Sequence, residues 1–190
     1  MRIGLLGGSF DPPHNGHLLA ADDAFDALRL DRLLWIPTAT QPLKIGNGVT
    51  PAEHRLSMVQ RLVEDDPRFA VDSIEIERGG LSYTVDTLAA LTGRFGASEL
   101  FLLIGADVLP SFPKWREPAR IAELATLVVM RRSGDTADVS EMPANTMVLQ
   151  TRRIDVSSTE IRERVREGKS IRGFVPDAVA RYIAAERLYR

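Results

Sequence analysis

The chain has 190 residues, of which 44% are hydrophobic and 26% are charged, and its formal net charge at pH 7 is −2. This composition is ordinary for a globular protein, and the lack of a basic surplus argues against nucleic acid as a partner. The absence of cysteine excludes disulfides, thiolate nucleophiles and cysteine-ligated zinc sites. Only Met1 and Arg2 precede the first apolar run, and no run is long enough to span a membrane. We therefore expect a cytoplasmic protein with no membrane partner. Its oligomeric state stays open, and a homo-oligomer is one of the alternatives.

Strand-length apolar runs alternate with stretches in which apolar residues recur at helical spacing. In chain order the sequence first predicts strand Ile3–Leu6, a helix from Leu18 to Leu28, strand Leu33–Ile36 and a helix behind the capping box Thr50–Glu53. A half-exposed strand Ser73–Glu77, a helix through Val85, Leu88 and Leu91, and strands Leu100–Ile104, Leu127–Met130 and Met147–Leu149 follow. The last two elements are a helix opened by the capping box Ser157–Glu160 and a helix after Pro176. The unalternated runs are typical of strands buried on both faces. The predicted fold is α/β, a doubly wound Rossmann-like parallel sheet with helices on both faces, in a single domain over residues 1–190.

The string GGSFDPPHNGH, residues 7–17, directly follows the first predicted strand. In a doubly wound sheet, ligands bind where such turns leave the carboxyl ends of the strands. Gly7 and Gly8 allow close backbone approach, and His14 and His17 are three residues apart near a helix N-terminus, whose partial positive charge favours anions. The pattern is neither a Walker A loop nor G-x-G-x-x-G. It predicts a phosphate site, and the alternative is a tight turn with two exposed histidines.

Residues 7–17 resemble the signature of the H-x-G-H nucleotidyltransferases, and the fuller pattern is similar to bacterial nicotinate-nucleotide adenylyltransferases. Four later segments agree in the expected order: Glu77–Leu88 with its R-G-G-L-S-Y-T-V-D-T-L, Ile104–Asp107 followed by Trp115, Ile154–Arg162, and Val175–Ile183. Two positions depart from the pattern. Leu43 and Pro113 stand where many relatives have histidine. Leu43 removes any role for a histidine beside Lys44, and Pro113 puts the conformation of the backbone near Trp115 in question.

The resemblance implies that the 5′-phosphate of nicotinate mononucleotide attacks the α-phosphorus of ATP and pyrophosphate leaves, giving deamido-NAD. It implies that Mg²⁺ is carried with the ATP triphosphate and not held in a protein cage, since magnesium takes few protein ligands. The attacking group is already an anion, so positioning and charge neutralisation suffice, and no enzyme nucleophile is needed.

Site residues follow from the resemblance, segment by segment. The expected catalytic residues are His14, His17, Lys44 and Arg162, with His17 contacting the α-phosphate. The expected ATP contacts are Gly7, Gly8, Ser9, Phe10, Gly105, Asp107, Ser157, Ser158 and Thr159. The expected nicotinate mononucleotide contacts are Tyr83 and Thr84 through helix N–H groups, Trp115 by stacking, and, as a weaker candidate, Arg131. No protein-ligated metal site is expected.

Several alternatives stay open from the residues alone. Ser157, Ser158 and Thr159 could serve as helix caps only, Trp115 could be a core residue, and Asp107 could be a turn-forming aspartate. At the level of function, the rivals are a phosphopantetheine adenylyltransferase, a fragment of a class I aminoacyl-tRNA synthetase, and a nucleotide-binding regulator without catalysis. His14 and the Ser-Tyr-Thr segment argue against the first, and length and charge argue against the second. The histidines, lysine and arginine that a regulator could lose are all present.

Overall fold

Six parallel strands form the centre of the computed structural model, which describes residues 1–42, 49–132, 139–140, 142–152 and 154–190. The strands are β1 (Arg2–Gly8), β2 (Arg32–Pro37), β3 (Phe69–Val71), β4 (Glu99–Gly105), β5 (Thr126–Arg132) and β6 (Met147–Thr151). Their order in the sheet is β3-β2-β1-β4-β5-β6, and every pairing is parallel. The predicted doubly wound sheet is confirmed. Its switch point lies between β1 and β4, where the carboxyl ends of two central strands diverge and leave a crevice.

Seven α-helices and a long 3₁₀ helix are described around this sheet. They are α1 (Asn15–Ala27), α2 (Ala52–Val63), α3 (Ile74–Arg78), α4 (Thr84–Phe95), the 3₁₀ helix Ala106–Lys114, α5 (Pro118–Leu124), α6 (Ser158–Arg166) and α7 (Asp177–Ala185). Two hydrophobic clusters cover the sheet. One joins residues of α1, α2, α6 and α7, and the other joins residues of α4, α5 and the 3₁₀ helix. No helix in the described ranges is both long and apolar enough to cross a membrane.

The central strands lack alternation because both of their faces are covered. Leu33, Leu34, Trp35 and Ile36 are consecutive in β2 and all are buried. β6 differs, since among the described strands it pairs with β5 alone and forms an edge of the sheet. Its residues Met147 and Val148 are 45% and 42% exposed, so the prediction of a strand buried on both faces is wrong there.

Residues 73–77 form a helical turn instead of the predicted half-exposed strand. The Ile74 N–H donates to the Asp72 carboxylate (3.1 Å) and the Glu77 N–H donates to the Ser73 carbonyl (2.9 Å). A five-residue alternation fits a strand and a single helical turn equally well, and here the polar residues before it begin a helix. The consequence is that Glu75 is buried, where a half-exposed strand would have left it in water.

The prediction of a capping box that begins at Thr50 is also wrong. The helix begins after Pro51, and the backbone of Thr50 is bound to Asp11 and Arg55. The second capping residue is confirmed, because the Ser157 hydroxyl accepts from the Glu160 N–H at 3.1 Å.

β3 and α5 are short elements that the sequence pattern did not predict. The boundary of one domain over residues 1–190 stays a prediction.

Candidate active site

One large cavity of about 1480 Å³ lies beyond the carboxyl ends of β1 and β4. It is larger than the roughly 300–1,000 Å³ of pockets that take one drug-sized ligand. Residues from four predicted motifs line it, among them Gly7, Gly8, Ser9, Phe10, His17, Tyr83, Thr84, Gly105, Asp107, Trp115, Ser157, Ser158, Thr159 and Arg162. The fold therefore brings together segments that are up to about 150 residues apart in the sequence, and the cavity has room for two ligands side by side.

The turn after β1 is shaped by the buried ring of Phe10. Phe10 has a positive φ of 50°, and its ring packs against Trp35 (5.4 Å between ring centroids) and His17 (5.3 Å). A Cβ atom on Gly8 would lie 3.0 Å from the Phe10 ring, which is closer than such contacts ordinarily come. Glycine at this position therefore lets the main chain pass over the ring, so that the backbone of Gly7–Phe10 faces the cavity.

His14 and His17 form a stacked pair at the N-terminus of α1. Their ring centroids are 3.7 Å apart with an interplanar angle of 27°, and the His14 N–H donates to Nδ1 of His17 at 3.3 Å. Because Nδ1 of His17 accepts, its Nε2 carries the ring proton. His17 lines the cavity, whereas His14 is buried behind it. A Cβ on Gly16 would come within 3.0 Å of the His14 ring, which explains the glycine between the two histidines.

The N-terminus of α6 is bound directly to the turn after β1. The Ser158 hydroxyl donates to the Pro12 carbonyl (2.8 Å), and the Arg162 guanidinium donates to the Asp11 carbonyl (2.7 Å) and to the Thr159 hydroxyl (3.2 Å). Two helix N-termini, those of α1 and α6, therefore meet at one end of the cavity together with His17 and Arg162. Helix N–H groups, an imidazole and a guanidinium are the usual components of a phosphate site.

The other side of the cavity holds the residues expected to contact the pyridine. Tyr83 is the N-cap of α4, and Thr84 is its first residue, as the sequence predicts. Trp115 is half-buried, packs on Phe112 (5.4 Å between centroids) and donates from Nε1 to the Ser111 hydroxyl at 3.4 Å. Pro113 is exposed within the 3₁₀ helix, and Trp115 lines the cavity beyond it.

Three further predicted residues have different outcomes. Asp107 lies at the cavity beside Gly105, just after β4, and its carboxylate folds back over that glycine. Arg131 lies near the end of β5, but it is not among the described residues that line the cavity. Lys44, with Leu43 beside it, falls outside the described residues.

Sequence reasoning missed several residues at or behind this cavity, among them Arg55, Glu75, Arg166 and Tyr189. Arg166 and Glu75 line the cavity, and Arg55 and Tyr189 contact the turn after β1 from behind. A signal existed for Arg55, because it lies on the same helical face as the buried residues Met58, Val59 and Leu62. A charged residue on an apolar face is expected to have buried partners.

Glu75 is a buried carboxyl beside the N-terminus of α4. Its Oε1 accepts from the Thr87 hydroxyl at 2.7 Å, whereas Oε2 has no hydrogen-bond partner among the described residues. Burial raises the pKa of Glu75, against the opposing effects of the nearby Thr87 and Ser82 hydroxyls and of the charge of Arg78. A neutral Glu75 would place no negative charge next to a site that is expected to receive a carboxylate.

Comparison with known proteins identifies the family. The model of the cytidylyltransferase-like family matches residues 5–164. The probable nicotinate-nucleotide adenylyltransferase of Gemmatimonas aurantiaca is 53% identical over 197 aligned residues that cover 100% of this chain and 93% of the relative. The chain belongs to the nicotinate-nucleotide adenylyltransferase family. The probable nicotinate-nucleotide adenylyltransferase of Thermus thermophilus, at 47% identity with both chains fully covered, is a second member.

Solved structures agree with this adenylyltransferase fold. The nicotinic acid mononucleotide adenylyltransferase of Plasmodium falciparum complexed with NaAD superimposes with a TM-score of 0.82, covering 99% of this chain and 97% of that one. At 16% identity the likeness concerns the fold alone. The family membership explains why the H-x-G-H turn, the α4 N-terminus and the α6 N-terminus occur together in one chain of this length.

Proposed function

We propose that this chain transfers the adenylyl group of ATP to nicotinate mononucleotide, giving deamido-NAD and pyrophosphate in NAD biosynthesis. The observation that carries the proposal is the division of one cavity into two ends. The first end has the α1 and α6 N-termini with His17 and Arg162, and the second has the α4 N-terminus with Trp115. The first end suits a triphosphate, and the second suits a flat ring that carries an anionic group. We place the reaction in one domain over residues 1–190 and in the cytoplasm.

The reaction requires one bond to form and one to break at the α-phosphorus of ATP. An oxygen of the 5′-phosphate of nicotinate mononucleotide attacks that phosphorus. The bond to the α,β-bridging oxygen breaks, and pyrophosphate leaves with that oxygen and its electron pair. Negative charge increases on the departing group, so fixed cations and hydrogen-bond donors aimed at it lower the barrier. We assign this role to Nε2 of His17 at the α-phosphate and to Arg162 at the β- and γ-phosphates, with Lys44 as a further cation.

The histidine next to His17 has a supporting role in this scheme. His14 is buried, stacks on the His17 ring and donates its N–H to Nδ1 of His17. These contacts fix the orientation and the tautomer of His17, so that its remaining ring N–H is directed away from the His14 backbone. We therefore propose that His14 acts on the phosphates chiefly through His17.

The second end of the cavity accounts for the choice of mononucleotide. The first N–H groups of α4 have no carbonyl one turn earlier in the helix to bind, and the helix dipole favours a negative group there. A nicotinate carboxylate accepts hydrogen bonds at both oxygens. A carboxamide has to turn an NH₂ group toward one of the donors, and an unsatisfied buried donor costs about 1–3 kcal/mol.

Magnesium belongs to the proposal as part of the ATP substrate. In the parts of the chain that the structure describes, no cluster of three or more histidine, aspartate or glutamate side chains could hold a metal ion. Both carboxylate oxygens of Asp11 accept protein hydrogen bonds, and among the described residues that line the cavity Asp107 has an exposed carboxylate. A site with so few available protein carboxylates fits a Mg²⁺ ion that takes its other ligands from phosphate oxygens and water. The ion would neutralise charge on the triphosphate.

The test is a comparison of acceptors. The purified protein is incubated with ATP and Mg²⁺ and with nicotinate mononucleotide, nicotinamide mononucleotide or phosphopantetheine, and the released pyrophosphate is measured. We expect rapid release with nicotinate mononucleotide and formation of deamido-NAD. Release with phosphopantetheine alone would indicate the rival adenylyltransferase, and ATP binding without any release would indicate a regulator.

A further inference from the structure

The turn after β1 is held in place from behind by a buried polar cluster that consists of Asp11, Thr50, Arg55 and Tyr189. Asp11 is buried, and both of its carboxylate oxygens accept hydrogen bonds. Oδ1 accepts from the Tyr189 hydroxyl at 2.7 Å and Oδ2 accepts from the Thr50 N–H at 3.2 Å. A buried carboxylate needs such donors, because an unpaired one would lose its hydration without compensation.

Arg55 is the cation of this cluster, and its side chain is almost fully buried. Its guanidinium donates to three carbonyl oxygens, those of Ser9 (2.8 Å), Ala39 (2.9 Å) and Thr50 (2.8 Å). Burial lowers the pKa of Arg55, and the negative charge of Asp11 opposes that effect. Since arginine stays protonated in proteins, the five N–H donors in their fixed planar arrangement hold the loop after β1, the loop after β2 and the approach to α2 in one geometry.

Tyr189 comes from the far end of the chain, 178 residues from Asp11. The Leu188 N–H donates to the Ile183 carbonyl at 3.0 Å, which turns the chain back after α7, and Tyr189 itself adopts a positive φ of 66°. Its hydroxyl also lies 3.8 Å from the sulfur of Met58. Burial raises the pKa of Tyr189, and the charge of Asp11 raises it further, so the hydroxyl keeps its proton and remains a donor.

We propose that Tyr189 is a positioning residue for the ATP site, acting through Asp11 and Arg55 on the backbone of the turn after β1. This inference rests on the proposed function and adds the C-terminal segment to the machinery of the site. Ser9, Phe10 and Asp11 line the cavity, so a shift of their backbone changes the donors that face the triphosphate. The N-terminus of α4 is reached only through the loop after β2, where Arg55 binds the Ala39 carbonyl and the Ala39 N–H donates to the Ser82 hydroxyl at 2.9 Å. Tyr189 contacts Asp11 directly, so we expect its effect on catalysis to fall mainly on ATP.

The experiment compares Tyr189→Phe with Tyr182→Phe. Both variants remove a hydroxyl from the C-terminal segment, and the Tyr182 hydroxyl is bound to Nδ1 of His54 at 2.8 Å, away from the cavity. We expect Tyr189→Phe to lower kcat/KM for ATP about tenfold, while KM for nicotinate mononucleotide stays within about twofold. Tyr182→Phe should leave both values within twofold of the wild type. An unchanged kcat/KM for ATP in Tyr189→Phe, or an equal rise in both KM values, would overturn the proposal.

A truncation pair keeps the proposal testable if Tyr189→Phe folds poorly. Removal of Arg190 alone, an exposed residue, should leave kinetics unchanged, and removal of Tyr189 and Arg190 should reproduce the loss for ATP. Binding of a non-hydrolysable ATP analogue, measured by calorimetry and corrected for the folded fraction, gives a readout that does not need turnover. If the wild type formed no deamido-NAD, the proposed function would fail. The analogue affinities would still decide the role of Tyr189, because equal values for Tyr189→Phe and the wild type would overturn it.

Discussion

At the scale of the residue, the stacked histidines illustrate how a short motif gives two side chains different roles. His17 faces the cavity and His14 is buried beneath it, joined to it by ring stacking and one hydrogen bond. The spacing of three places both rings on one side of the first turn of α1, and the glycine between them leaves room for the His14 ring. A charge-stabilising group therefore has a fixed orientation before substrate binds.

His17→Ala should lower kcat by about 10²-fold or more while the fold survives, because a preorganised donor at the reacting phosphate contributes a few kcal/mol. The measurement is steady-state release of pyrophosphate, with the melting temperature as a check on folding. His54→Ala is the matched control, since that histidine contacts Tyr182 away from the cavity. A kcat for His17→Ala within about threefold of the wild type would show that His17 is not catalytic.

Glu75 should make stability depend on pH. Because burial raises its pKa, the folded chain binds its proton more tightly than the unfolded chain does. The stabilisation that this tighter proton binding gives to the folded chain is therefore full below the ordinary pKa of glutamate, about 4.3. It is lost as the pH rises through the raised pKa of Glu75. The free energy of unfolding is measured in urea for the wild type and for Glu75→Gln. With rising pH, the value for the variant should increase relative to that for the wild type. Glu77→Gln, at an exposed position on the same helix, is the control. A difference that is independent of pH would contradict a raised pKa in Glu75.

At the scale of the element, the site is built from three helix N-termini around the ends of β1 and β4. α6 is fixed to the turn after β1 through Ser158 and Arg162, so that two of these N-termini form one unit. Serine capping and phosphate binding are compatible there, because the Ser157 hydroxyl satisfies the Glu160 N–H and leaves other groups of the first turn for a ligand.

Gly16→Ala should impair catalysis more than it affects folding. The added Cβ would lie 3.0 Å from Nδ1 of His14 and would displace the ring on which His17 stacks. Gly93→Ala is the matched control, because its Cβ would meet nothing within 4 Å in the interior of α4. It should leave kcat unchanged and raise the free energy of unfolding by up to about 1 kcal/mol. Equal kcat values for the two variants would argue against the fixed histidine pair.

Arg162→Ala should raise KM for ATP and leave KM for nicotinate mononucleotide nearly unchanged, because Arg162 lies on α6, at the phosphate end of the cavity. Arg164→Ala provides the comparison on the same helix, since the Arg164 guanidinium binds the Ser170 carbonyl and covers the ring of Phe174. Substrate titrations of both variants give the two KM values. An unchanged KM for ATP in Arg162→Ala would count against a triphosphate site at the α6 N-terminus.

The parts of the site that sequence could predict are those whose chemistry is local. The turn after β1, the histidine spacing and the Ser157 cap each depend on residues within a few positions of one another. Arg55 and Tyr189 bind partners 46 and 178 residues away, so a local pattern can indicate that Arg55 is buried but cannot identify the partners of either residue. The strand prediction for residues 73–77 is wrong because five residues of alternation fit two conformations, and the hydrogen bonds that Asp72 and Ser73 accept begin a helix there.

At the scale of the whole molecule, the order of the strands explains why the separate motifs share one cavity. β1 and β4 are neighbours, so the H-x-G-H turn and the segment that begins at Gly105 leave the sheet side by side. α4 ends just before β4 and thus places its own N-terminus at the same end of the sheet. The cavity can then hold an adenylyl donor and an acceptor together, which is what direct transfer between two bound nucleotides requires.

The most direct test of this account is the preference between two mononucleotides that differ in one substituent of the ring. The values of kcat/KM for nicotinate and nicotinamide mononucleotide are measured side by side at saturating ATP and Mg²⁺. The N–H groups at the start of α4 predict a preference for nicotinate of at least about tenfold, or roughly 1.4 kcal/mol in the transition state. Equal efficiencies would contradict the carboxylate site at Tyr83 and Thr84 and, with it, the proposed choice of substrate.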